Sequence, residues 1–155
     1  MTVLIIALII TGIICAFIVL PTQTWEAMGN WCLAFARRSK QRKMERELAR
    51  LARQMPFQQD KSFLPLGIGL AFDTARRLVF VCVSEGGKLR AAILPVSAVK
   101  GYTTGEMQPY GFYDRYVELA ETDATHKQWR ILCGDNAPLV EKLRGALDEF
   151  GVLLN

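Results

Sequence analysis

The chain has 155 residues, 51% of them hydrophobic and 22% charged, with a formal net charge of +4 and a mean hydropathy of +0.17. That length holds one modest domain, which excludes a multidomain enzyme, and the charge and cysteine content exclude a disordered tail protein, a disulfide scaffold and a polytopic transporter. The averages conceal two regimes: residues 1–20 carry 17 hydrophobic residues, and the other 135 carry 62, an ordinary globular share.

The first predicted element is residues 2–20, nineteen positions without a charge. As a helix the run is about 28 Å long, against a hydrocarbon core near 30 Å, so the expectation is a transmembrane helix. A cleaved signal peptide is disfavoured, because Met1–Ile5 contains no Lys or Arg and no small-x-small site follows Leu20. Ala7, Thr11 and Cys15 are four apart, a spacing that lets two such helices approach closely and leaves a homo-oligomer open. Residues 21–36 carry Trp25, Met28, Trp31, Cys32 and Phe35 at near-helical spacing, expected to lie in the membrane interface, with a re-entrant hairpin broken at Gly29-Asn30 as the alternative.

Residues 37–55 form a basic amphipathic stalk of local charge +6, containing Arg37, Arg38, Lys40, Arg42, Lys43, Arg46, Arg50 and Arg53 against Glu45 and Glu47. Met44, Leu48, Leu51 and Met55 follow one another at intervals of 4, 3 and 4, and Pro56 ends the helix. Basic flanks remain cytoplasmic, which predicts a single-pass bacterial inner-membrane protein with the N-terminus outside and the following domain in the cytoplasm. The expected lipid-binding residues are Arg37, Arg38, Lys40, Arg42, Lys43 and Arg46, held against anionic lipid at about 1 kcal/mol each. A coiled coil through the apolar stripe is the alternative. Nucleic acid is not an expected partner of a helix tethered beside a membrane.

Residues 56–155 are electrically neutral, with 11 basic and 12 acidic side chains. Six strands are predicted: 66–72, 78–84, 89–95, 96–104, 115–119 and 128–133, with Glu85-Gly86-Gly87-Lys88 a hairpin turn. In the last strand Trp129, Ile131 and Cys133 alternate inward while Gln128 and Arg130 face outward. A helix over about 136–150 then presents Leu139, Leu143, Ala146, Leu147 and Phe150 on one face. The expected fold class is therefore α+β: a transmembrane helix, a basic juxtamembrane helix and a mainly antiparallel β domain closed by a C-terminal helix.

The segments GIGLAFD, RRLVFV and ILPVSAVKGY, in that order ahead of one terminal helix, resemble the bacterial pleckstrin-homology-like fold over residues 64–151. The resemblance implies a docking module rather than an enzyme. Its usual basic cluster in the first hairpin is reduced here to Arg76 and Arg77. The layout as a whole, with WEAMGNW and RRSKQRK beside the apolar run, is similar to entry-exclusion proteins of conjugative plasmids, which implies a conjugation component as partner.

No catalytic residue, metal ligand or cofactor is expected. His126 stands alone at a strand edge, and Cys15, Cys32, Cys82 and Cys133 form no CxxC pair. Ser97 and Lys100 match S-x-x-K but would point to opposite faces of a strand, and Gly67-Ile68-Gly69 lacks the third glycine of a dinucleotide loop. The candidate partner-binding residues are the aromatics Tyr110, Phe112, Tyr113 and Tyr116, with an exposed sheet edge as the other docking element.

Overall fold

A computed structural model describes residues 5–6, 9–11, 22–108, 113–122 and 128–154. The chain divides into two compact units, Met1–Arg37 and Arg38–Asn155.

The expected transmembrane helix is not supported. Among the described residues no helix is long and apolar enough to cross a membrane. Positions 5–6 and 9–11 are helical, and the rest of 2–20 lies outside the described residues. Helix α1, Thr22–Ala52, is long enough at 31 residues, but it carries Glu26, Glu45, Glu47 and the basic run from Arg37, whose charges are too costly to hold in hydrocarbon. The single-pass, inner-membrane assignment and its N-outside orientation are corrected accordingly. Gly29 and Asn30 lie inside α1, which rules out a hairpin there. Trp31 and Phe35, one turn apart, stack with centroids 6.0 Å apart.

The second unit is α+β. Strands β1 (Lys61–Ser62), β2 (Leu70–Asp73), β3 (Leu78–Glu85) and β4 (Lys88–Pro95) form one antiparallel sheet in that order. Strands β5 (Val99–Met107), β6 (Asp114–Glu121) and β7 (Gln128–Gly134) form a second, and helix α2 (Ala137–Glu149) follows. The sequence reading missed β1, whose two residues are too short to show periodicity. It also started β5 too early: Val96–Ala98 form a 3-10 turn after Pro95. Ser97 therefore sits in a turn rather than opposite Lys100 in a strand.

Local chemistry explains the joints. Gly86 and Gly87 have φ of +56° and +79°, the pair of left-handed residues that a two-residue hairpin between β3 and β4 requires, and Glu85 faces Lys88 across it. Gly69 permits a close approach, since a Cβ there would fall on the Cys82 carbonyl. The β2–β3 turn is organised by Asp73, the one fully buried charged side chain among the described residues. Its carboxylate accepts from the Gln58 N–H at 2.7 Å and the Arg76 N–H at 2.9 Å, and pairs with the Arg76 guanidinium at 3.0 Å. Burial pushes this carboxyl up, and the hydrogen bonds and the Arg76 charge outweigh it, leaving the group below its usual range.

The inner faces of both sheets meet in a core of Phe72, Val79, Val81, Tyr102, Val117, Leu119, Trp129 and Ile131. Helix α2 closes it with Leu139, Val140, Leu143, Ala146 and Leu147, and Asn136 caps the helix by accepting from the Leu139 N–H at 3.0 Å. The residues after α2 cover the free edge of β5, where the Tyr102 N–H donates to the Leu153 carbonyl, and the Tyr102 hydroxyl donates to Asp148 Oδ1 in the last turn of α2 at 2.7 Å.

The second half of α1 is not a free stalk. Met44 and Leu48 are buried with Leu64, Ala71, Leu78, Phe80, Cys82 and Ile93, and Leu51 packs beside them. This stripe lies on the outer face of the first sheet, so β3 is buried on both faces from Leu78 to Val83. The apolar stripe, for which a coiled coil was the alternative reading, is consumed inside the unit, and only Met55 at its end is exposed.

Candidate functional site

The two sheets have four faces. Two meet in the core under α2, and α1 covers the third. The outer face of the second sheet is left without an element over it among the described residues.

Its side chains follow from strand alternation. Because Tyr102, Val117, Leu119, Trp129 and Ile131 point inward, the rows facing out are Gly105–Tyr116–Leu132 and Thr103–Glu118–Arg130. Gly105 is required here: a Cβ would lie 2.4 Å from the Tyr116 hydroxyl and 2.5 Å from the ring carbon that bears it. The missing side chain lets the Tyr116 ring lie across β5. The Arg130 guanidinium then sits 4.7 Å above that ring and pairs with Glu118 at 2.6 Å. Leu132, an apolar residue at an outward position, is 47% exposed.

The β3–β4 hairpin rises beside this face and makes it concave. Arg90 on β4 reaches β7, where its guanidinium lies 4.0 Å over the Trp129 ring, donates to the Gln128 carbonyl and pairs with Glu85 at 3.1 Å. Ser84, Glu85, Arg90, Met107, Glu118, Gln128, Arg130 and Leu132 line the resulting open cleft of about 420 Å³. Each arginine of the cleft is matched by its own glutamate, so the surface is locally neutral and amphipathic. It is suited to shape-complementary contact rather than to attracting a polyanion.

The expected partner-binding aromatics divide. Tyr116 belongs to this face. Tyr113 stands at its end, where its hydroxyl bonds Glu106 and its ring faces the Arg115 guanidinium at 5.5 Å. The bond to Glu106, with a smaller effect of burial, raises the Tyr113 hydroxyl above its usual range. Tyr110 and Phe112 lie outside the described residues. Sequence reasoning missed Arg90, Glu118, Met107 and Leu132; the legible signal was Leu132, which breaks the polar parity of Gln128 and Arg130.

The expected lipid-binding residues also divide. Arg37, Arg38, Lys40, Arg42, Lys43 and Arg46 are all exposed. Lys40, however, turns toward the sheets and lines a crevice with Met44, Gly67 and Arg130, while the row Arg38, Arg42 and Arg46 points away from them.

Among the described residues no group of three His, Cys, Asp or Glu side chains could hold a metal ion. Cys82 and Cys133 are buried thiols raised to about 11, chiefly by burial and then by Glu47 and Asp114 respectively. Such thiols are packing groups rather than nucleophiles. His126 and Cys15 lie outside the described residues. No family model matches this chain, and neither a curated protein nor a solved structure matches it.

Proposed function

We propose that residues 38–155 form a non-catalytic protein-interaction module of the pleckstrin-homology-like kind, and that its partner docks on the outer face of the second sheet. Four antiparallel strands, then three, then a closing helix support the fold resemblance. The observation that carries the docking role is the uncovered face itself: Met107 and exposed Leu132 lie beside two arginines stacked on aromatic rings. Arginine and aromatic residues held rigid around an apolar centre are the composition of interaction hot spots. Stacking and pairing fix the arginine side chains in advance, which reduces the rotamer entropy lost when a partner arrives.

The test is photo-crosslinking in cells from a reactive residue placed at Leu132, at Thr103 on the same face, and at Lys142 on the exposed side of α2. Leu132 and Thr103 should yield the same protein adduct, and Met107→Asp combined with Arg130→Glu should abolish it while the far-UV spectrum stays unchanged. An equal adduct from Lys142, or one insensitive to the double substitution, refutes the assignment.

A further inference from the structure

The docking of α1 on the first sheet fixes which side of its basic run meets solvent. At 3.6 residues per turn, Arg38, Arg42, Arg46 and Arg50 form a single i, i+4 row opposite Met44, Leu48 and Leu51. The row covers roughly 18 Å at about 1.5 Å per residue. Lys43 stands beside it. Ser39 and Ala49, small residues, are the fillers between the arginines. The two glutamates of this stretch lie off the row: Glu45 accepts from Gln41 at 2.7 Å, and Glu47 pairs with Arg50 at 2.8 Å. Arg38, Arg42 and Arg46 have no ion pair among the described residues.

We infer that this row is a peripheral contact site for an anionic lipid headgroup surface, touched from one side and not crossed. Three features select that partner. The row is convex and no described cavity borders it, so it has no walls with which to recognise the shape of a peptide. The row carries neither an aromatic platform on which bases could stack in succession nor an Asn or Gln to read adenine, so beyond its charge it offers little that is particular to a nucleic acid. A straight helix lying flat can bring all of its row to a planar array of phosphates at once, and arginine forks pair with phosphate oxygens bidentately. The apolar stripe is occupied, so attraction is electrostatic and reversible.

The assignment is distinct from the docking face, because it needs neither Arg130 nor Leu132. It also separates residues that the linear sequence groups together: Lys40 contributes nothing to it, since it faces the crevice.

The experiment is co-flotation of the full-length chain with vesicles of phosphatidylcholine containing phosphatidylglycerol, and with vesicles of phosphatidylcholine alone. The anionic vesicles should bind more tightly, and salt should weaken the difference. The triple variant Arg38→Ala, Arg42→Ala, Arg46→Ala should lose about a hundredfold of that preference, with an unchanged far-UV spectrum because alanine retains the helix. Lys40→Ala should bind as the parent does. Equal binding to both vesicles, a triple variant that matches the parent, or a Lys40→Ala loss as large as the triple's would overturn the inference. So would duplex DNA that strips the chain from the vesicles at equal phosphate, since the row would then belong to nucleic acid.

Discussion

Replacing Met44 with alanine distinguishes a docked helix from a free stalk by the sign of the effect. In a free stalk the substitution is neutral or slightly favourable, because alanine is the better helix former. In the structure Met44 is 1% exposed, enclosed by Phe80, Cys82, Leu64 and Ile93. Burying a methionine side chain contributes about 1.5–3 kcal/mol, and the cavity left by Met→Ala brings the usual cost to about 2–5 kcal/mol. The neighbours are sheet side chains whose backbone cannot collapse into the gap, so about 3 kcal/mol is expected. Urea unfolding followed by far-UV circular dichroism should show the midpoint fall with the slope retained. Arg46→Ala, on the same helix but exposed, should change stability by less than about 0.5 kcal/mol. A second readout is local: Cys82 lies under the helix, 4% exposed and raised to about 11 by burial, so undocking should speed its reaction with a thiol reagent. Cys133, in the other core, is the internal reference. Met44→Ala no more destabilising than Arg46→Ala, with Cys82 labelling unchanged, would refute the docked arrangement.

Asp73→Asn should lower stability at neutral pH by about 2–3 kcal/mol, because the charged acceptor of two backbone N–H groups and a guanidinium is lost from a buried position. The carboxyl lies below its ordinary value of 3.8 in the folded state. Its contribution is therefore complete above that pH and is lost as the pH falls through the lower folded value, so the gap between parent and variant should narrow in denaturant titrations carried progressively below pH 3.8. A constant gap would contradict the ionised assignment. Gly105→Val should displace the Tyr116 ring and break its stack with Arg130, since even a Cβ would meet the ring at 2.5 Å. The variant should lose the Leu132 crosslink while the α1 side remains intact, as judged by slow labelling of Cys82.

Strands with clean alternation were the most legible part of the chain. The predicted strands 115–119 and 128–133 fell inside β6 and β7, the latter with Trp129, Ile131 and Cys133 inward as expected, and the C-terminal helix was misplaced by a single residue at each end. The first sheet gave a subtler signal. LVFVCV does not alternate, and a run apolar on both parities means that both faces of the strand need a cover. The second cover was the Met44–Leu48–Leu51 stripe, but a stripe states only that a helix has an apolar partner, not whether that partner is lipid, another copy or a sheet of the same chain. The apolar composition of residues 2–20 was likewise compatible with more than one environment. The cleft was less legible, because Arg90 and Gln128 are 38 positions apart and meet through hairpin curvature, which local pattern does not encode.

The strand shared by the two cores has one more consequence. Leu78–Val83 is six uncharged residues of high β-propensity with neither proline nor glycine, the composition of a segment able to seed cross-β stacking. Arg76 and Arg77 precede it and Glu85 follows, charges placed where they hinder such stacking. Within the fold, however, its outer face is shielded by Met44 and Leu48 of one helix. Loss of that helix would do more than subtract stability. It would expose an adhesive surface, so the helix also protects the chain's solubility.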